Sequence, residues 1–524
     1  MATDCITQVA FKFDKLVVAK FDTEHASSDG GAVLLKAVDR HLGVTEAVAR
    51  CLQDRRQPGK VQHDGLELVR QRIFGLVCGY ADCNDAARVA DDAIHKWLLD
   101  RDPLAGPALA SQPTLSRFEN AVGPVALTRL GHALADLVIE QHRARRRGRA
   151  RLITLDLDPT DDPTHGQQEF TFFNGHYDTW CYLPLLGFVT FDDEAEQYLV
   201  FALLRPGNSP AKQGTIGRLR TLIRKLRVAF PGARLRVRLD GGFAGEDLLA
   251  FLEAEGVEYL VAMGSNCRLD KRVRRLMGKA RMQSKASGET EQLFGETRYA
   301  AKKWSRKRRI IMKAEVVRHP GRAPKNNPRF VVTNLPHTPA YVYRLYRQRG
   351  DVENRIKELK DGLALDRLSC ARFLSNQFRL LLTVAAYILV QALRHHAAGT
   401  ACATAQATTL RERLLKVAVG RALSPADRPA LPGVVPVATD VAPDCVRRRR
   451  HALTPTIPQC PRDPGRGVDR APCKEMVGRA STGSRVAHRT PRRMPRRLEA
   501  SERVSAGNGD HLTDRFRAFA HNAG

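Results

Sequence analysis

A chain of 524 residues with 43% hydrophobic side chains can bury the core of two or three domains, which excludes a disordered polymer. Its formal charge of +29 calls for a polyanionic partner, because each phosphate neutralised releases counterions, and nucleic acid meets that need better than a membrane surface does. No stretch approaches the ~20 consecutive apolar residues of a bilayer span, and "MATDCITQVAFKF" lacks a secretory pattern, so a cytoplasmic location without a membrane is expected.

Residues Thr45 to Gln141 read as mostly helical, with apolar positions recurring at three and four in "LELVRQRIFGLVCGY" and "ALTRLGHALADLVIEQ". Residues 1–150 are therefore expected to form a helical DNA-binding domain ending in a basic linker. Within it "SQPTLSRFENAV" carries capping signals at Ser111 and Thr114, Pro113 early in the helix and Arg117 one turn on. Such a helix start suits phosphate or base-edge contacts; an ordinary capped helix fits the same residues equally well. The run Arg143 to Arg151, "RARRRGRAR", reads as a flexible link. Eleven cysteines show no C-x-x-C pair, so Cys78 and Cys83 read as core thiols.

From Leu152 the pattern changes to short β-rich runs, "LITLDLD", "YLPLLGFVTF" and "QYLVFALL". A basic amphipathic helix, "IGRLRTLIRKLRVAF", precedes the strand "RLRVRLD", the helix "GEDLLAFLEAEG" and the strand "EYLVAM". The order βββαβαβ is that of a ribonuclease H-like core, so an α/β fold is expected over 151–264 and 337–419. Residues 265–336, with the strands "RRIIMKAEVV" and "RFVVTNL", read as an inserted β-rich module, and the apolar run Leu380 to Val390 as a buried helix. Beyond Val419 the composition turns to Pro, Arg, Gly and Ser, so 420–524 is expected to be a basic disordered tail. A reading-frame change inside an amphipathic helix is one origin for it; a DNA-binding extension is the other.

Asp156 and Asp158 end the first strand on one face by two-residue alternation, and Asp240 ends another just before two glycines. In "LYRQRGDVENRIKELK" a helix at ~100° per residue places Tyr346, Arg349, Glu353 and Lys360 within about 60° of one another. Val352, Ile356, Leu359 and Leu363 form the apolar stripe beside them. Gly350 marks a point where that helix can begin. The strand order lets Asp158, Asp240 and Glu353 converge at one end of the sheet, where divalent cations would offset their repulsion. Mg²⁺ suits such hard oxygen ligands, and two ions can serve in-line phosphodiester cleavage. Surface carboxylates, with an ordinary Arg349–Glu353 pair on a surface helix, are the plain alternative.

The spacing of Tyr346, Arg349, Glu353 and Lys360 matches the Tyr-Arg-Glu-Lys signature, and the chain over roughly 10–419 resembles the DDE transposases of bacterial insertion sequences. "DPT" at Asp158, "RLDGGFAGEDLLAFLE" at Asp240, "SQPTLSRFEN", "HGQQEF" and "FVVTNL" are similar to one branch of them. The resemblance implies Asp158, Asp240 and Glu353 as catalytic metal ligands for Mg²⁺ or Mn²⁺, two ions in all. It further implies cut-and-paste chemistry on double-stranded DNA at terminal inverted repeats, with a homodimer in the DNA complex. Tyr346, Arg349 and Lys360 would then hold phosphates beside the cleaved bond. Trp304, between the basic clusters of "AAKKWSRKRRI", could stack on an unpaired base or pack in its own small core. Two competing readings are a haloacid dehalogenase-like phosphatase, with Asp156 as nucleophile and Asp158 as acid, and an inactive DNA-binding derivative with an altered C-terminus.

Overall fold

The computed structural model describes residues 8–12, 16–20 and 26–419, the first two segments and Pro58 by backbone alone. The expected disordered tail, 420–524, lies outside the described residues. Gln8–Lys12 and Leu16–Lys20 pair as an antiparallel hairpin. Helices then dominate, as the apolar spacing predicts. Gly65–Cys78 starts at a reciprocal capping box between Asp64 and Glu67, and Gln112–Asn120 follows Ser111 with a proline in its first turn. Pro124–Arg145 is the longest helix of this part.

The main sheet is built from β1 (Leu152–Pro159), β2 (Leu185–Phe191), β3 (Tyr198–Leu203), β4 (Arg234–Leu239), β5 (Glu258–Met263), β6 (Glu291–Tyr299), β7 (Arg308–Val317), β8 (Lys325–Asn326) and β9 (Arg329–Thr333). Its order is β6-β7-β9-β5-β4-β1-β2-β3, with β8 on β7. β1, β4 and β5 run parallel as the crossover helices Thr215–Ala229 and Glu246–Ala254 require, while β2 and β3 return antiparallel.

Residues 265–336 are not set apart as a β module. They open with the 21-residue helix Cys267–Ser287, and β9 pairs directly with β5, so the sheet runs on through them. Alternation along β7 and β9 explains how: Ile310, Met312 and Phe330 face Leu269, Val273 and Met277 of that helix, while Ile311 and Val331 face Val342 and Leu345 of the helix Pro339–Arg347.

The helical part is not detached either. Val69, Ile73, Leu130 and Leu134 belong to the same continuous core as Ile153, Leu157, Leu381 and Val384. The basic run is no loose link, because Arg143 to Arg145 complete the helix and Arg146 pairs with Asp192 and Glu194 of the acidic β2–β3 turn. That turn also accepts from the Arg151 amide. Opposite charges distant in sequence thus pin what composition alone makes look flexible.

Two further expectations change. Phe373–His396 is long and apolar enough, by length and composition, to cross a bilayer, yet 94% of its apolar window is buried inside the protein, where it forms the central helix of the core. The amphipathic helix expected through Val419 stops at Leu415. Lys416 to Ala418 form neither helix nor strand, and Val419 bridges Ser27. Gly31 makes this approach feasible, since a Cβ there would stand 1.6 Å from the Leu414 carbonyl oxygen. Underneath, Asp29 is wholly buried, 2.8 Å from His95 Nε2 and 2.6 Å from Lys416 Nζ. Cys78, which has no metal-site spacing in sequence, is gathered beside Asp29 and His95 by the fold. The ammonium of Lys416 already neutralises Asp29 there, so the cluster ties the last described segment to the first helices.

Candidate active site

Three short stretches deliver the carboxylates. β1 alternates Ile153, Leu155 and Leu157 into one core layer and Asp156 and Asp158 toward the other side, so Asp158 stands at the strand's C-terminal end. Asp240 follows β4, and its Oδ1 accepts from the Gly242 amide at 2.8 Å, which fixes the turn. Glu353 lies in the first turn of the helix Gly350–Leu363. The apolar stripe Val352, Ile356, Leu359 and Leu363 is buried as its spacing predicts.

All three carboxylates meet one side chain. Arg349 Nη2 is 2.5 Å from Asp158 Oδ1 and 3.9 Å from Asp240 Oδ2, and its Nη1 is 3.5 Å from Glu353 Oε1. The acids differ in exposure: Asp158 is buried, Asp240 is one-third exposed and Glu353 is 69% exposed. Burial pushes the Asp158 carboxyl up to about 7. The Arg349 guanidinium opposes that rise, and Asp240 and Glu353 add repulsion to it. The oxygens surround the guanidinium rather than a shared point. Among the described residues the only trio of His, Cys, Asp or Glu with ligand atoms all within 4.8 Å is Asp29, Cys78 and His95. An all-carboxylate donor set of graded exposure fits a hard divalent cation.

The segment carrying Arg349 is two helices rather than one. Pro339–Arg347 ends at Gln348, and a tight turn, in which the Arg349 amide donates to the Tyr346 carbonyl, leads into Gly350–Leu363. Tyr346 and Arg349 therefore precede the helix that holds Glu353 and Lys360. Tyr346 is partly buried, close enough to Arg349, Asp240 and Asp158 to sense their charges, and burial raises its phenol. Lys360 Nζ is 2.9 Å from Asp161 Oδ1.

Trp304 and Arg117 make no contact with the carboxylates. Trp304 packs edge-on against Tyr299, under the Arg308 guanidinium. Arg117 is exposed, its Nη2 reaching Thr114 Oγ1 at 3.4 Å, and it lines a cleft of about 1030 Å³ with Arg55, Arg56, Lys60 and Arg129. Asp156, the nucleophile of the phosphatase reading, is fully buried and held by both Nε and Nη2 of Arg238 at 2.7 and 2.6 Å. No substrate can reach it.

Two positioning residues escape sequence reasoning. Arg238 also donates to the Leu345 carbonyl and to Gln348 Oε1, which docks the helix junction onto β1 and β4. Its alternation with Asp240 in "RLRVRLD" is the available signal. Glu358, on the back of the Glu353 helix, accepts from Tyr387, Arg355, Arg394 and the Ala407 amide and so fixes that helix to Phe373–His396. A Glu among charged neighbours gives no such signal. Gln168 of "HGQQEF" donates to the Leu368 and Cys370 carbonyls.

A family model described as Transposase DDE domain group 1 matches residues 9–425. No curated protein matches the chain.

Proposed function

The chain belongs to the transposase DDE domain group 1 family, and from that premise we propose that it cuts and joins DNA phosphodiesters at the inverted repeats of an insertion sequence through Asp158, Asp240 and Glu353. The observation that carries this reading is the gathering of three acids, from segments 82 and 113 residues apart (240 − 158 and 353 − 240), around one guanidinium at the C-terminal ends of β1 and β4. The order β3-β2-β1-β4-β5 with β2 reversed supports a ribonuclease H-like core, and sites in parallel sheets form at these strand ends.

Two Mg²⁺ or Mn²⁺ ions bound by the three carboxylates would activate a water or a 3′-hydroxyl and stabilise the departing oxygen. The protein's own groups do the positioning. Tyr346 stays protonated and can donate to a phosphate oxygen. Lys360 reaches the same strand end from the Glu353 helix, and exchange of Asp161 for a phosphate would keep its charge paired. Arg55, Arg117 and Arg129 would grip the duplex further out, and Trp304 would have to leave its packing on Tyr299 and Arg308 to stack on an unpaired base. A homodimer on paired ends completes the reading, within the Tyr-Arg-Glu-Lys branch.

The test is strand cleavage of a duplex carrying the ends of the DNA segment that encodes this chain, with and without Mg²⁺. Cleavage is expected to require the ion and all three acids. Undiminished cutting by Glu353→Gln would remove the assignment, and an Asp156→Asn protein that is folded and loses a phosphatase activity would restore the competing one.

A further inference from the structure

Resting on the active-site reading above, we infer that Arg349 is a built-in counter-cation that holds the three carboxylates apart and must leave them before a divalent cation can be bound. The resemblance assigns this arginine to DNA phosphate; the geometry gives it an earlier post.

The guanidinium is used as a three-way wedge. Nη2 spans Asp158 and Asp240 while Nη1 takes Glu353, so one guanidinium faces three carboxyl groups. Its side chain is only 11% exposed, which shields its contact with buried Asp158 from solvent screening. Nε, however, is buried with no hydrogen-bond partner among the described residues. Arg349 is therefore strongly attracted and incompletely satisfied, a combination that a better acceptor can exploit. A phosphodiester offers the paired oxygens that match the guanidinium fork.

Arg349 stands on the turn between two helices as the N-cap of the second, its backbone bonded to Tyr346 and Val352, so its side chain can swing while both helices stay in place. A divalent cation bound by Asp158 would sit beside Nη2, and two cations at one carboxylate repel each other. Metal loading and phosphate binding then become reciprocal: a phosphate that draws Arg349 away tightens the ion site, and a bound ion frees Arg349 for phosphate. The arrangement keeps the nuclease centre unloaded until DNA arrives.

Mn²⁺ binding to the full chain, followed by the electron paramagnetic resonance signal of the free ion, tests this without reference to catalysis. Without DNA, Arg349→Gln is expected to bind Mn²⁺ at least about 10-fold tighter than the unchanged protein, and the gain should vanish in Asp158→Asn/Arg349→Gln. Arg349→Lys keeps the charge and loses the fork, so its affinity should fall between the two. It also guards against misfolding of the neutral variant. A duplex from the end of the encoding DNA segment should tighten Mn²⁺ binding by the unchanged protein and leave Arg349→Gln almost unaltered. If the unchanged protein, Arg349→Lys and Arg349→Gln bind equally at a site that needs Asp158, the inference is wrong and the active-site reading stands. If none shows Asp158-dependent binding, with or without the duplex, the active-site reading falls and takes the inference with it.

Discussion

Asp158→Asn and Glu353→Gln each remove one negative oxygen while keeping size and most hydrogen bonds, so they separate chemistry from folding. Each is expected to lower strand cleavage by roughly a thousandfold while leaving duplex binding within a few-fold, as gel shift and cleavage on one substrate will show. Asp162, four residues past Asp158, makes a different prediction. It is buried, neither of its oxygens has a hydrogen-bond partner among the described residues, and burial pushes its carboxyl up to about 8. In the unfolded chain it ionises near roughly 3.9. Between those values the folded protein holds a proton that the unfolded chain has lost, so this contribution to stability is intact below about pH 4 and drains away as pH rises toward 8. Relative to its effect at pH 4, Asp162→Asn should raise the melting temperature progressively up to pH 8. A difference that does not change with pH contradicts the assignment. At this scale the acids were legible, because strand alternation and the glycines after Asp240 mark them. The wedge was not: spacing puts Arg349 near Glu353, but only the packed junction puts it against Asp158.

The Glu353 helix is oriented from behind rather than by the face that carries Glu353. Glu358 is 4% exposed and joins that helix to Phe373–His396 and to the Ala407 amide. Removing it leaves buried donors unpaired, although Arg394 retains Glu196 at 2.7 Å. Glu358→Ala is therefore expected to cost about 3 kcal/mol of unfolding free energy by denaturant titration, at the low end for a broken buried pair. A cost below about 1 kcal/mol would mean that the apolar stripe alone seats the helix. That stripe was readable from its spacing, as were the strands of 265–336. Their membership in the main sheet was hidden, because pairing of β9 with β5 is a choice between partners about 70 residues apart that period-2 patterning leaves open. The pairing of Gln8–Lys12 with Leu16–Lys20 and the ending of the helix at Leu415 were hidden for a similar reason, since the latter depends on Gly31, nearly 400 residues away.

Across the described residues, the basic side chains of this net +29 protein are put to two uses. Many arginines are engaged internally, as Arg146, Arg238 and Arg308 are on buried or half-buried acids, whereas Arg55, Arg117 and Arg129 line the open cleft in the helical part. Composition therefore foretold a polyanionic partner without saying which cations face it. Reversing the charge of the cleft in Arg117→Glu/Arg129→Glu should weaken duplex binding and flatten its log-log dependence on salt by about 2, one for each phosphate that is no longer neutralised. An unchanged slope would move the duplex to another face. The continuous core runs from the helical part that carries the cleft through Phe373–His396 to Leu415. The central claim is that acids from three distant segments form one ion site. Replacing Mg²⁺ with Fe²⁺ and generating hydroxyl radicals beside the bound ion, with a terminal duplex present, cuts the polypeptide wherever it passes close to that ion. Cuts near residues 158, 240 and 353 together, suppressed by excess Mg²⁺, are predicted; cuts that miss any of the three, or that cluster instead at Asp29 and His95, would contradict the account.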